Sequence, residues 1–90
     1  METLDLVLKG KWYDMIESGE KPEEYRDLIQ HWVSRIWYHK SELKAVRFHR
    51  GYTDITMTFA IKGIGIGRGN PQWGAPTDRD VFIIKLGARI

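Results

Sequence analysis

The sequence has no cysteine, only three prolines and no apolar run longer than a few residues. The missing cysteine excludes a disulfide framework, a thiolate metal site and a cysteine nucleophile. A bilayer-spanning helix needs about 20 consecutive apolar residues, and none is present. Residues Met1-Glu2-Thr3-Leu4-Asp5 are acidic where a secretory leader would be basic, and no apolar stretch follows them. No segment is low in complexity and no long period recurs, which excludes repeat arrays and a disordered linker. Ninety residues leave no room for a second domain. One domain over residues 1–90, cytoplasmic and without a membrane segment, is the expectation.

What is present is a dense apolar supply and a divided charge. Hydrophobic residues make up 42% of the chain and include four tryptophans, four tyrosines and three phenylalanines, enough for a compact core. The formal net charge is +2, but residues 1–30 hold eight acids against four bases, a net of −4. Residues 31–90 hold ten bases against four acids, a net of +6. This asymmetry has two readings: a polyanionic partner for the second half, or a surface whose halves attract one another in the folded chain.

Leu4 to Leu8 reads as a short buried strand. Trp12, Met15 and Ile16 share one helical face, and Gly19 is placed to stop that helix. Pro22 prevents an immediate second helix, so Glu23 to Arg26 is expected to be extended. Leu28, Ile29, Trp32, Val33, Ile36 and Trp37 follow a 3.6-residue spacing behind a candidate N-cap, Asp27. From Lys44 the period becomes two: Val46 and Phe48 alternate with Arg47 and His49, and Ile55, Met57, Phe59 and Ile61 alternate with Thr56, Thr58, Ala60 and Lys62. The apolar phase flips at Gly63, to Ile64 and Ile66, which predicts a β-bulge or sharp bend. Arg68 to Asp80 reads as a loop carrying Trp73, and Val81 to Leu86 as a central strand. The order, β-α-β-α followed by three or more strands, sums to an α+β fold with a small, mostly antiparallel β-barrel and two helices.

Few motifs support chemistry. Gly63, Gly65, Gly67 and Gly69 do not make a phosphate loop, because no lysine followed by serine or threonine comes next and Pro71 breaks the required helix. His31, His39 and His49 lack the spacing that aims two imidazoles at one ion, so no metal is expected, and no cofactor motif is found. The serines show no nucleophile-elbow pattern. The densest polar cluster is Gly19-Glu20-Lys21-Pro22-Glu23-Glu24-Tyr25-Arg26. On an extended Pro22–Arg26, Glu24 and Arg26 share one face, while Glu23 and Tyr25 share the other. Lys21, Glu24 and Arg26 could then form a surface ion network, recognise a nucleobase and phosphate, or exchange protons with a substrate.

This cluster resembles the N-terminal signature of ASCH domains, small members of the PUA-like superfamily. The resemblance is carried by Leu6-Val7-Leu8-Lys9, Trp12-Tyr13-Asp14-Met15-Ile16 and the spacing Gly-x-Lys-x-x-Glu-x-Arg at Gly19, Lys21, Glu24 and Arg26. Trp73-Gly74 and the closing strand Val81 to Leu86 are similar to short bacterial and phage-type members. The resemblance implies a PUA-like barrel of about five to six mostly antiparallel strands, with two main helices near the opening and a cleft lined by Lys21, Glu24 and Arg26. RNA, a nucleotide or a modified nucleoside is the implied ligand. Lys9 would add charge, Trp73 would stack on a base or plug the barrel, and Arg47, Arg50 and Arg68 would hold phosphates. One branch of the family hydrolyses N4-acetylcytidine with a threonine three residues after the lysine. Here that position is Glu24, a carboxylate suited to act as a base and not as a hydroxyl nucleophile. The alternative reading is therefore a hydrolase with Lys21 and Glu24 as a proton-transfer pair.

Overall fold

The computed structural model describes residues 2–90. In chain order the elements are β1 (Thr3–Leu8), α1 (Gly10–Glu17), β2 (Glu23–Asp27), α2 (Gln30–Trp32, continuing as a π-helical turn over Val33–Trp37), β3 (Ala45–Arg50), β4 (Thr56–Gly67), a 3-10 turn (Pro71–Trp73) and β5 (Val81–Arg89). The strands form one sheet in the order β1-β3-β4-β5-β2. β1 runs parallel to β3, and the other three pairings are antiparallel. Among the described residues, no helix is long and apolar enough to cross a membrane.

The sheet is curled into a half-barrel. Laid flat, its edge strands β1 and β2 would stand about 19 Å apart, four strand spacings. Instead the Arg26 guanidinium on β2 reaches the Val7 carbonyl on β1 at 3.1 Å. The bend comes mostly from β4, which pairs with β3 through its first half and with β5 through its second. Its register with β5 slips between Phe59 and Ile61 and again between Ile61 and Gly63. That is where the apolar phase flips in the sequence, and an unpaired residue in one strand increases local twist. The predicted bend and the central position of β5 both hold.

Strand alternation builds the core. Leu4, Leu6 and Leu8 of β1, Val46 and Phe48 of β3, Met57 of β4 and Phe82 and Ile84 of β5 are buried together. Tyr13 and Ile16 of α1 and Ile36 of the π turn close over them, and Trp37 stacks on Phe82 with ring centroids 5.9 Å apart. Burying one such side chain contributes about 1.5–3 kcal/mol, so this cluster dominates the stability of the domain. Arg47 lies on the exposed face of β3 beside half-buried His49, as the period-two pattern predicts.

The second helix departs from its expected outline. Asp27 is the last residue of β2, paired with Val81 of β5 and bridged to Arg79 at 3.1 Å, so it cannot cap a helix. Leu28 and Ile29 are 43% and 52% exposed, and the helix starts at Gln30 without a side-chain cap. From Val33 it widens, with Tyr38 N–H donating to the Val33 carbonyl at 3.2 Å. A π turn advances less per residue than an α turn and re-aims the apolar stripe. Trp32, Val33, Ile36 and Trp37 therefore face the core, while the two leading apolar residues fall outside it.

Candidate functional site

The turn after α1 delivers Lys21 inward. Gly19 takes φ +87°, a conformation that side-chain-bearing residues rarely adopt, and its N–H closes on the Ile16 carbonyl at 3.1 Å. Lys21 N–H then donates to the Met15 carbonyl at 2.9 Å, which folds the chain back beneath α1. Lys21 is 1% exposed and Glu24 6%, the two buried charges among the described residues.

Alternation along β2 separates its side chains as expected. Glu24 lies opposite Ile84 and Tyr25 opposite Ile83, on opposite faces of the sheet. Glu24 is shared between two cations: its Oε1 lies 3.1 Å from Lys21 Nζ, and its Oε2 accepts from Arg26 Nη2 at 2.8 Å. Lys21 Nζ also donates to the Trp73 carbonyl at 2.5 Å and lies 4.5 Å from the Tyr25 ring centroid. An uncompensated buried charge would cost several kcal/mol, and this chain of partners offsets that cost. Loss of hydration still favours the neutral amine and lowers the Lys21 pKa below 10.5, against the opposing pull of the Glu24 charge. On the other face, Tyr25 Oη donates to Glu23 Oε2 at 2.7 Å and accepts from Asn70 N–H at 3.0 Å. Burial and the neighbouring carboxylates push the Tyr25 phenol well above its usual range.

These contacts fasten the loop between β4 and β5. Trp73 and Ala75 pack on Tyr25 and Val81 in a second, smaller core. Gly69 sits so close that an added Cβ would lie 2.6 Å from Ala75 Cβ and from the Tyr25 ring. Gly74, at φ +95°, lies against the Trp12 ring.

Beside the fastened loop is a cleft of about 570 Å³, lined by Lys9, Tyr25, Arg26, Trp32, Pro76 and Arg79 among others. It opens at the seam between the two edge strands, where Arg26 reaches Val7. The Arg26 guanidinium lies 5.0 Å from the Trp32 ring centroid, and its buried Nε has no hydrogen-bond partner. Lys9 is exposed at the N-terminus of α1. Arg79 is compensated by Asp27 at 3.1 Å and by Asp78 at 2.9 Å. The cleft thus offers cationic groups beside an indole, a pairing suited to an anion attached to a planar ring.

The residues singled out from the sequence fall into three places. Lys9 and Arg26 line the cleft. Lys21 and Glu24 are buried next to Arg26 but do not line it, and the half-buried Trp73 is packed in the small core. Arg47 forms a two-pronged pair with Asp5 at 2.6 and 3.1 Å, and Arg68 pairs with Asp80 at 3.2 Å, both away from the cleft lining. Arg50 is paired with Asp14 at 3.0 Å. Among the histidines, His31 meets the Trp32 ring edge-on, His39 lies 3.3 Å from Glu42 and His49 lies 2.8 Å from Asp5. Among the described residues no three His, Asp or Glu side chains converge on a point where an ion could sit. Sequence reasoning missed Trp32 and Arg79. Trp32 carried the stripe signal of a core residue, and Arg79 lies in a loop without periodicity. No family model, curated protein or solved structure matches the chain.

Proposed function

We propose that the chain is a binding module for RNA or a nucleotide-like small molecule, built on a PUA-like barrel of the ASCH type. The observation that carries this reading is the cleft in which Arg26 lies over Trp32, with Lys9 and Arg79 at its rim. Two phosphates would engage Lys9 and the Arg26 guanidinium, one each, while a base would stack on the half-buried Trp32 indole. Stacking of this kind contributes about 1–3 kcal/mol per base, comparable to one good charged contact. The curled five-strand sheet with two short helices is compatible with a small barrel-like fold.

Hydrolysis by Lys21 and Glu24 would require both to come within about 3 Å of a substrate atom, directly or through one water. Both side chains lie behind the cleft lining, with polar atoms already committed to Trp73, Arg26 and each other. Binding is therefore the reading adopted.

Titration of short single-stranded RNA and of nucleoside monophosphates, followed by tryptophan fluorescence across a salt series, tests it. Each phosphate contacted on a single strand gives a slope of about −0.7 in log K against log salt. Two contacts, at Lys9 and Arg26, predict a slope of about −1.4 for RNA. Arg26→Gln should weaken binding and remove about half of that slope. Saturable binding of monophosphates alone would narrow the ligand to a free nucleotide. No saturable binding of either, or binding indifferent to Arg26, would refute the proposal.

A further inference from the structure

The Trp73 carbonyl, Lys21, Glu24, Arg26 and the Val7 carbonyl form one unbroken chain of contacts, at 2.5, 3.1, 2.8 and 3.1 Å in that order. Its two ends lie on separate segments, each next to residues that line the cleft. Trp73 belongs to the loop that supplies Gly74, Ala75 and Pro76 to one wall. Val7 lies on β1, two residues before Lys9, which follows that strand and also lines the cleft. Only Arg26 among the three charged residues lines the cleft, and Lys21 has almost no exposed surface through which to meet a ligand.

We propose that Lys21 and Glu24 form a clamp that sets the spacing of the cleft walls, acting as positioning residues through Trp73 and Arg26 and not as ligand contacts. This rests on the reading of the cleft as the binding site. The loop has no regular structure apart from one 3-10 turn, so its place depends on few anchors. Two of them reach it from the β2 segment, the Lys21 contact to Trp73 and the Tyr25 contact to Asn70. Freed from Lys21, the Asn70–Ala75 stretch keeps the Tyr25 anchor and the packing of Gly69, Trp73, Gly74 and Ala75, while the Arg79–Asp27 bridge holds the loop further along. Glu24, freed from Lys21, would turn its full charge on Arg26 and draw the guanidinium away from the cleft.

Salt dependence separates positioning from contact, because a residue that touches phosphate changes the number of counterions released, whereas one that shapes the site does not. The experiment compares wild type, Lys21→Met and Arg26→Gln in hydrogen exchange and in binding of single-stranded RNA at several salt concentrations. Lys21→Met is expected to speed exchange at the Asn70, Trp73 and Ala75 amides tenfold or more, leaving β3 amides unchanged. It is also expected to weaken RNA binding about tenfold with the wild-type salt slope, whereas Arg26→Gln lowers the slope by about 0.7. Unchanged loop exchange in Lys21→Met overturns the clamp. So does unchanged affinity with a loosened loop, or a slope that falls as it does in Arg26→Gln. If wild type binds no RNA, the binding proposal fails and the exchange result alone decides whether the clamp exists. Should Lys21→Met not fold, Lys21→Gln takes its place: it is neutral but still able to donate to Trp73, and the same slope criterion applies.

Discussion

Lys21 carries its charge into the interior, and the consequences can be measured away from any ligand. Its amine loses a proton at lower pH in the folded chain than the usual 10.5 of the unfolded one, because burial penalises the ammonium. Below the folded value both states are protonated and the penalty stands in full. Between that value and 10.5 the unfolded chain holds the extra proton, so this residue makes stability rise with pH. Urea midpoints followed upward in pH to 10.5 should show that rise in wild type relative to Lys21→Met; parallel profiles would contradict it. Glu24 is the more sensitive position, since it neutralises two cations at once. Glu24→Gln leaves Lys21 and Arg26 facing each other without a carboxylate and should cost about 3 kcal/mol. In a domain of this size that lowers the melting temperature by about 12–24 °C, which a thermal melt would detect. The pairing of these residues was legible from the alternation on β2. Their depth was not, because nothing in Gly19 to Arg26 announces that a turn at positive φ folds Lys21 under a helix.

At the scale of elements, the alternate glycines of β4 and the loop after it divide into two kinds. A Cβ at Gly63 or Gly65 would meet nothing within 4 Å, whereas one at Gly69 would collide with Ala75 and Tyr25. Gly65→Ala should therefore be neutral or stabilise by about 0.5 kcal/mol, by restricting the unfolded chain. Gly69→Ala should destabilise by about 1–3 kcal/mol, because the loop must lift from Tyr25 to make room. Equal denaturation midpoints for the two variants would contradict this picture of the loop anchorage. The strands were the most legible elements, since period two and a glycine phase flip map directly onto pleat and bulge. α2 was least legible. Its apolar spacing fits a regular helix from Leu28, but the ladder between Asp27 and Val81 holds the backbone extended past the apparent start. The π turn then decides which tryptophans turn inward, and a choice made by tertiary packing leaves no periodic trace.

For the whole molecule, the divided charge resolves in part into internal pairing. Asp5, Asp14, Glu17 and Asp27 of the acidic segment meet Arg47, Arg50, Arg89 and Arg79 of the basic one. Exposed pairs of this kind each contribute little at neutral pH. They nevertheless place the acid limb of the stability profile. The Arg47 hydrogen bond, assisted by His49, holds the Asp5 carboxyl below 3.8, and Arg50 does the same for Asp14. Stability from these groups is present above pH 3.8 and is lost as pH falls through their lower folded values. Asp5→Asn should flatten that acid limb without changing the midpoint trend near neutrality, as denaturation between pH 2 and 7 would show. Arg47, Arg50 and Arg68 are so engaged away from the cleft, and the proposed ligand site is the seam, where Lys9 and Arg26, the latter bridged to Glu24, line one cleft with Trp32. The four tryptophans offer the most direct test of that claim, since each contributes one indole N–H signal to a nitrogen–proton correlation spectrum. On titration with short single-stranded RNA, the Trp32 signal should shift saturably and with the largest amplitude. Shifts confined to Trp73, or none at saturating RNA, would contradict the placement of the binding site in this cleft.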